Sequence, residues 1–367
     1  MQGERKIIHV DMDSFYASIE MRDNPAYRDV ALVIARDPRH NGGKGVVATA
    51  NYVARQYGIN SAMSCAQALK LCPQAVFKRP DFEKYRQVSA QIHEIFQQYT
   101  DVIEPIALDE AYLDVTVNKL NEGSAIRLAH ALQQQIYAKT QLTCSVGVSY
   151  NKFLAKLASE YCKPMGFTLV RQADAQAFLW SLPIQAFRGV GKKTLVKMHE
   201  LGIFTGQDLA ACSQEKLQQS FGKMGLIFYQ RVRGQDLRPV QATRKRKSLG
   251  KERTFDVALC TQEQVEEQLK QLAQKVAQQM QEKQQQGQTL VLKVRNSQYQ
   301  TVTKRLTKRD FFENDAASLL FYGLQLFEQI QTEVIDVRLL GLTLTNLDEL
   351  KYQNIVLPLW ITKNETK

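Results

Sequence analysis

Apolar and polar residues recur along the chain with two different periods, and each period predicts a kind of element. The segment IIHVDMD, at residues 7–13, predicts a strand. The next segment, SFYASIEMR, predicts a helix because Phe15, Ile19 and Arg22 fall at helical spacing. Residues 24–80 combine the turn-rich RDPRHNGGKG with a short apolar run and two helical stretches. We interpret them as a small, irregular insert after the first strand and helix.

The next part of the chain alternates between helical and strand-like patterns. VIEPIALDEAYLDVT alternates apolar and polar residues like a strand pair, with Asp109 and Glu110 where the chain would turn. Strands interrupted by helices predict an α/β sheet platform that carries acidic residues. The elements predicted around this pair are helices at 82–99, 125–139 and 151–161 and a strand at 143–149.

The C-terminal part begins with short helices separated by glycines, at residues 173–236. The basic segment RPVQATRKRKS follows and is the best linker candidate. After it, a strand, a glutamine-rich helix, two strands, a helix and a last strand predict a β-α-β-β-α-β module. These later elements are predicted at 262–285, 289–295, 301–307, 312–330 and 334–347, and the first helix has one apolar face formed by Val265, Leu269, Leu272, Val276 and Met280.

Composition and charge narrow the class of protein. With 367 residues, 44% of them hydrophobic, the chain is long enough for several folded domains and is not a disordered protein. The net charge of +11 favours a polyanionic partner, and residues 238–312 hold 16 Lys and Arg against 7 Asp and Glu. No apolar stretch reaches the roughly 18–20 residues that cross a bilayer. With no secretory apolar region and six scattered cysteines, we expect a cytoplasmic protein with reduced thiols.

Three acidic residues suggest a metal site. Asp11 closes the first strand, and Asp109 and Glu110 arrive 98 positions later at another strand end. Carboxylate oxygens are the ligands that Mg²⁺ prefers, and three carboxylates on one sheet would repel each other without cations. Most acidic residues near strand ends are solvated or cap helices, so spacing alone leaves this alternative open. For Asp13 we expect a helix cap, and for Asp114 a structural role.

Basic residues and glycines supply candidate contacts to phosphate. Asn51 to Arg55 begin a helix, where backbone amides, a tyrosine hydroxyl and a guanidinium could meet an anion. Lys156 and Lys163 lie along or just after another predicted helix. Any one of these cations could equally be a solvated surface charge.

A glycine turn in the helical region suggests contact with DNA. Gly189 and Gly191 precede a helix that begins with Lys192 and Lys193. This is the pattern of a helix-hairpin-helix, which grips the nucleic-acid backbone without distinguishing bases. A plain turn between two helices is the alternative, and the two lysines favour DNA.

Six motifs occur in an order that identifies a family. HVDMDSFYASIE, VVATANYVAR, IEPIALDEAYLDVT, SVGVSYNKFLAKLAS followed by CKPMG, FRGVGKKT and KSLGKERTF together closely resemble Y-family DNA polymerases of the DinB branch. The resemblance spans about residues 5–345 and implies an α+β, multidomain right-hand polymerase that performs low-fidelity translesion synthesis without proofreading. It implies a palm at 1–16 and 81–170, fingers at 17–80, a helix-hairpin-helix thumb at 171–236, a basic linker at 237–247, a β-α-β-β-α-β little finger at 248–347 and a tail at 348–367.

The same resemblance implies roles for individual residues, with primer-template DNA and dNTP as partners. Two Mg²⁺ ions, which Mn²⁺ could replace, would be held by Asp11, Asp109, Glu110 and the Met12 carbonyl, and the three carboxylates would be catalytic. Tyr16 falls at the steric-gate position that excludes ribonucleotides. The other implied residues are Phe15, Thr49, Tyr52, Arg55 and Lys163 for the nucleotide and Gly189, Gly191, Lys192, Arg244, Lys245, Arg246 and Lys247 for DNA.

The chain departs from the family pattern at four positions. Val53 replaces a usual Glu, Ala107 a common Ser, Ser64 a frequent Pro and Met165 a usual Asn. None of them removes a proposed ligand, but each leaves lesion preference and nucleotide affinity open.

The tail contains QNIVLPLW, which is similar to the peptides that dock such polymerases on a sliding clamp. Its docking residues would be Gln353, Val356 and Leu357; packing against the little finger is the alternative.

We expect a monomer. The rival functions are a non-catalytic DNA-binding protein, a nucleotidyl cyclase and a partner-dependent UmuC-like polymerase. The intact carboxylates argue against the first, and the glycine turn and basic linker against the second.

Overall fold

A computed structural model describes residues 5–330 and 335–350 of the chain. It divides into two compact units, which are Met1–Thr243 and Arg244–Lys367. In the described residues, no helix is both long and apolar enough to cross a membrane. All six cysteines are free.

The first unit combines short strands with helices. Its strands are β1 (Ile7–Met12), β2 (Leu32–Ile34), β3 (Thr49–Ala50), β4 (Val76–Lys78), β5 (Ile103–Pro105), β6 (Glu110–Asp114), β7 (Cys144–Ser149) and β8 (Phe167–Val170). Its helices are α1 (Phe15–Asp23), α2 (Tyr52–Gln56), α3 (Cys65–Leu71), α4 (Phe82–Gln97), α5 (Ala125–Thr140), α6 (Lys152–Tyr161), α7 (Ala175–Ser181), α8 (Lys192–Glu200), α9 (Gly206–Ala211), α10 (Gln214–Phe221) and α11 (Lys223–Arg231).

A five-stranded sheet with the order β5-β6-β1-β7-β8 forms the centre of this unit. All its pairs are antiparallel except β7–β8. Side chains alternate between the faces of a strand, so Ile8, Val10 and Met12 enter the core shared with α4 and α5. His9 and Asp11 therefore lie on the opposite face, where α6 packs. The alternation seen in the sequence of β1 thus separates core residues from polar ones.

Helix α6 approaches this sheet closely because β7 contains Gly147. A Cβ at this position would stand 2.0 Å from the backbone oxygen of Ala155. No side chain can be accommodated at that distance, so glycine permits the contact. The close packing brings the lysine side chain of Lys156 over the polar face of the sheet.

The insert between α1 and α4 contains a small three-stranded sheet with the order β3-β2-β4. Asn51 caps α2 by accepting a hydrogen bond from Ala54 N, and Ser64 caps α3 by accepting one from Gln67 N. Ser64, one of the four departures from the family pattern, therefore has a structural role as a helix cap.

Helices α7 to α11 share an apolar core with one side of α6 and with the end of β8, and the chain that follows them returns to the sheet. Val240 is buried with Ile7, Tyr112 and Ala155. The backbone N–H of Gln241 donates to Glu104 at 2.8 Å. The first residues of the predicted linker therefore pack within the first unit.

The second unit has the predicted β-α-β-β-α-β order. Its elements are β9 (Ser248–Leu259), α12 (Gln262–Glu282), β10 (Gln285–Arg295), β11 (Thr301–Thr307), α13 (Ala316–Glu328) and β12 (Val337–Glu349). The four strands form an antiparallel sheet with the order β11-β10-β12-β9. The five apolar residues predicted on one face of α12 are all buried. Helix α13 begins at Ala316 and not at 312, because Asp315 caps it by accepting from Ser318 N.

Candidate active site

The three predicted metal carboxylates meet on the five-stranded sheet. Asp11 stands directly opposite Glu110 in the pairing of β1 with β6, and directly opposed residues share one face of a sheet. Asp109 immediately precedes β6, and its carbonyl oxygen accepts a hydrogen bond from Met12 N at 2.9 Å. The antiparallel pairing therefore joins residues that are far apart in the sequence.

A cavity of about 140 Å³ lies beside these carboxylates. Glu110 and Tyr52 are predicted site residues that do not line it: Glu110 lies opposite Asp11, and Tyr52 lies near Asp13. Three lining residues were not predicted, namely Ser14, Ala48 and Ser61. The predicted residues that line the cavity are Asp11, Met12, Phe15, Tyr16, Thr49, Arg55, Asp109 and Lys163.

The carboxylates differ in their affinity for protons. Burial raises the pKa of Asp109 to about 6, and the negative charge of Asp11 adds to the rise. Burial alone would also raise the pKa of Glu110, but contacts with His9 and Lys156 outweigh it and bring this pKa down to about 2. Asp109 thus carries negative charge that its surroundings compensate poorly, whereas the charge of Glu110 is well compensated.

Two lysines neutralise part of the acidic cluster. Lys163 Nζ lies 2.5 Å from Asp11 Oδ1, and Lys156 Nζ contacts Glu110 Oε2 and lies 3.9 Å from Asp11 Oδ2. The two lysines that were candidate phosphate contacts therefore both contact the carboxylates of the cluster.

The donor set fits a hard divalent cation. Ligand atoms of His9, Asp11 and Glu110 lie within 4.8 Å of one another. Asp109 adds another carboxylate beside the same cavity. Carboxylate oxygens are the ligands by which proteins hold Mg²⁺.

Side chains from the insert also line the cavity. Thr49 is buried, and Arg55 donates from Nε to the Ala50 carbonyl at 3.0 Å. The Arg55 guanidinium lies 4.9 Å from the centre of the Tyr52 ring. Arg55 therefore lines the cavity and lies against the Tyr52 ring, whereas the Tyr52 hydroxyl lies 3.4 Å from Asp13 Oδ1.

The Tyr16 ring is held by other aromatic rings. It stacks on Tyr85 with 4.5 Å between ring centres and meets Phe82 edge-on at 5.8 Å. Phe15 is almost completely buried, 5.6 Å away. Packing on several sides fixes the position of Tyr16 beside the cavity.

The prediction that Asp13 caps α1 is wrong. The residue before the helix is Ser14, which has a φ of 42° and makes no side-chain cap. The Asp13 carboxylate instead turns into the protein and accepts hydrogen bonds from Ser145 Oγ at 2.7 Å and Met165 N at 2.9 Å. A left-handed residue at the start of the helix directs Asp13 away from the helix end.

Sequence reasoning also missed His9. This residue is fully buried, with Nδ1 2.7 Å from Ser159 Oγ and Nε2 3.4 Å from Glu110 Oε2. Burial lowers the pKa of His9, so the ring is neutral near pH 7. Its position two residues before Asp11, on the same face of β1, was the signal that could have identified it.

The predicted DNA-binding segments have the expected local structure. Gly189 has a φ of 102°, and Gly191 directly precedes α8, which begins at Lys192. A positive φ favours glycine, so this turn needs a glycine at position 189. The basic residues at 244–247 are all exposed. The proposed clamp residues Gln353, Val356 and Leu357 lie outside the described residues.

Comparisons with known proteins agree on one class. Residues 10–160 match the model of the impB/mucB/samB family, and residues 246–356 match that of its C-terminal domain. Residues 185–236 match the thumb domain of DNA polymerase-iota. The chain is similar in structure to a Y-family DNA polymerase chimera, Dbh-Dpo4(243-245)-Dbh, with a TM-score of 0.83 and 27% identity, covering 93% of this chain and 98% of that chain.

Relatives with curated names narrow the class. The chain is 48% identical to a DNA polymerase IV of Streptococcus pyogenes serotype M3 over 355 residues, which are 97% of each chain. It is also 48% identical to a DNA polymerase IV of Streptococcus pyogenes serotype M28, over 94% of each chain. The chain therefore belongs to the Y-family DNA polymerases, in the DNA polymerase IV branch. It is accordingly a DNA-directed DNA polymerase with the right-hand architecture of that family: palm, fingers, thumb and little finger.

Proposed function

We propose that this polymerase extends a primer with dNTPs by two-metal phosphoryl transfer and performs translesion synthesis without proofreading. One observation supports the reaction above all others: Asp11 and Asp109 line the same cavity as Thr49, Arg55 and Lys163. Carboxylates that suit divalent cations therefore line the same space of about 140 Å³ as side chains that suit a triphosphate.

Each side chain has a role in this proposal. Asp11, Asp109, Glu110 and the Met12 carbonyl would hold two Mg²⁺ ions, with Mn²⁺ as a substitute. Bound divalent cations would acidify the primer 3′-hydroxyl and offset charge on the leaving pyrophosphate. Thr49, Tyr52, Arg55 and Lys163 would hold the triphosphate in line for attack, since phosphoryl transfer depends on positioning and charge neutralisation. Phe15 would pack beneath the nucleotide, and Tyr16 would exclude a ribose 2′-hydroxyl.

DNA would be held by segments outside the cavity. We propose that the turn of Gly189, Gly191 and Lys192 contacts the backbone of the duplex, and that Arg244, Lys245, Arg246 and Lys247 contact phosphates. We also keep the domain bounds predicted above as a proposal, with the thumb at 171–236 and the little finger at 248–347.

Primer extension tests the reaction. Purified protein with Mg²⁺, dNTPs and a primed template is expected to extend the primer, and Asp109→Asn or Glu110→Gln is expected to lower the rate at least about a hundredfold. Asp114→Asn is the matched control, since Asp114 is an acidic residue at the other end of β6 that accepts hydrogen bonds from Thr116. Unimpaired extension by either active-site variant would refute the mechanism.

Proofreading and clamp docking need separate experiments. A mismatched primer incubated without dNTPs should keep its length, and its shortening would refute the absence of proofreading. Docking on a sliding clamp is proposed for Gln353, Val356 and Leu357. Deleting residues 352–367 should abolish the clamp's stimulation of processivity, and unchanged stimulation would rule docking out.

A further inference from the structure

The carboxylate of Asp13 receives hydrogen bonds from three separate segments. Oδ1 accepts from Ser145 Oγ on β7 at 2.7 Å and from the Tyr52 hydroxyl of α2 at 3.4 Å. Oδ2 accepts from Met165 N at 2.9 Å. The residue is 1% exposed. A carboxylate so deeply buried needs several donors, because burying an unpaired charge is costly.

Two of these segments carry residues that we assign to the triphosphate. Tyr52 is one of them, and Met165 follows Lys163 by only two residues. The loop is attached a second time, because Gly166 N donates to Ser145 Oγ at 3.2 Å. Asp13 therefore connects the fingers residue Tyr52 with the palm loop that presents Lys163.

The loop needs this support because of its backbone. Met165 has a φ of 58°, a left-handed conformation that is unfavourable for methionine and more easily adopted by the asparagine usual in the family. The hydrogen bond from its N–H to Asp13 helps to hold that conformation. The position of Lys163, two residues earlier, depends on the same loop.

We propose that Asp13 is a positioning residue for the incoming dNTP, acting through Tyr52 and the Lys163 loop. It does not touch the reacting atoms. The Tyr52 bond of 3.4 Å is long, so the hydroxyl can exchange it for a phosphate oxygen while the bond from Met165 N is kept. The inference rests on the proposed function, since it assumes that Tyr52 and Lys163 contact the triphosphate.

The variant Asp13→Asn tests this role. Asparagine carries no charge and has an NH₂ group in place of one carboxylate oxygen, so it can accept from the loop N–H only if the two hydroxyls turn round to accept from that NH₂ group. We expect the KM for dNTP to rise about tenfold, on the scale of one hydrogen bond to a charged group. The kcat and the Kd for primer-template DNA should change much less. Asp114→Asn is the control, because Asp114 accepts from an amide and a hydroxyl of Thr116 at the far end of β6.

A merely structural role predicts a different result. It would lower kcat or the folded fraction and leave the KM for dNTP unchanged, and that outcome would overturn the proposal. A second readout is the rise in melting temperature that dNTP causes in the protein–DNA complex, which should be smaller for Asp13→Asn than for Asp114→Asn. Wild-type protein that fails to extend a primer would instead refute the proposed function.

A double-mutant cycle with Tyr52→Phe isolates the contact. Asp13→Asn should raise the KM less in the Tyr52→Phe background than in the wild type. Strictly additive effects would refute the connection through Tyr52. If Asp13→Asn does not fold, Ser145→Ala keeps the carboxylate and removes one of its donors. It should also raise the KM for dNTP, and an unchanged KM would count against the proposal.

Discussion

Asp109 and Glu110 are neighbours in the chain, yet their removal should change the stability of the metal-free protein in opposite directions. Asp109→Asn should stabilise the fold near pH 7.5, whereas Glu110→Gln should destabilise it. The reason is that burial and Asp11 raise the pKa of Asp109, while His9 and Lys156 lower that of Glu110. Active sites commonly keep such unfavourable charge for the sake of function.

The magnitude for Asp109 follows from its pKa. A rise from the ordinary 3.8 to about 6 corresponds to about 3 kcal/mol. The folded state binds the proton more tightly than the unfolded state, so stability falls as the pH rises from 3.8 to about 6. Above pH 6 the full penalty is present. Asp109→Asn should therefore add up to about 3 kcal/mol to the unfolding free energy at pH 7.5, and most of this gain should disappear at pH 4.

Glu110 has the opposite sign. Its pKa falls from 4.5 to about 2, so its contribution to stability is complete above pH 4.5 and is lost as the pH falls through about 2. The carboxylate is partly exposed, and solvent screening reduces the contribution to about 2 kcal/mol. Glu110→Gln should therefore lower the unfolding free energy by this amount at pH 7.5, and by most of it at pH 4.

Urea unfolding in EDTA, followed by circular dichroism, measures both effects. The two units can unfold in separate transitions. The transition of the first unit is the one to compare, because that unit contains both Asp109 and Glu110. Adding Mg²⁺ should stabilise the wild type more than Asp109→Asn, because only the wild type keeps the full carboxylate set. If Asp109→Asn is neutral or destabilising at pH 7.5 in EDTA, the electrostatic reasoning is refuted.

Three further predictions concern packing, specificity and DNA binding. Gly147→Ala should prevent α6 from packing and abolish soluble expression, because the new Cβ would stand 2.0 Å from the Ala155 oxygen; normal yield and melting temperature would contradict this. Tyr16→Ala should raise ribonucleotide incorporation in primer extension relative to dNTP, and an unchanged ratio would remove Tyr16 from the gate. Replacing the basic residues at 244–247 with Gln should flatten the dependence of log Kd on log salt by about one unit for every phosphate that the protein no longer neutralises, and an unchanged slope would show that these residues do not bind DNA.

Local patterns in the sequence determined which segments become which elements. Alternation predicted the strands beside Asp109 and Glu110, and the apolar stripe of α12 predicted a buried helix face, because side-chain direction follows the period of each element. Motif order predicted the family, and the comparisons confirm it. The turn at Gly189 was predictable because glycine there reflects a local backbone requirement.

Only the tertiary structure decided which side chains meet. The pairing of Asp11 with Glu110 depends on the register of two strands about a hundred residues apart, and no local pattern encodes that register. Asp13 looked like a helix cap because an acidic residue just before a helix usually is one. The left-handed turn at Ser14 instead directs it to donors on β7, α2 and the loop after α6. Those donors come from distant parts of the chain, so the role of this buried carboxylate is a property of the packed fold and not of its sequence neighbours.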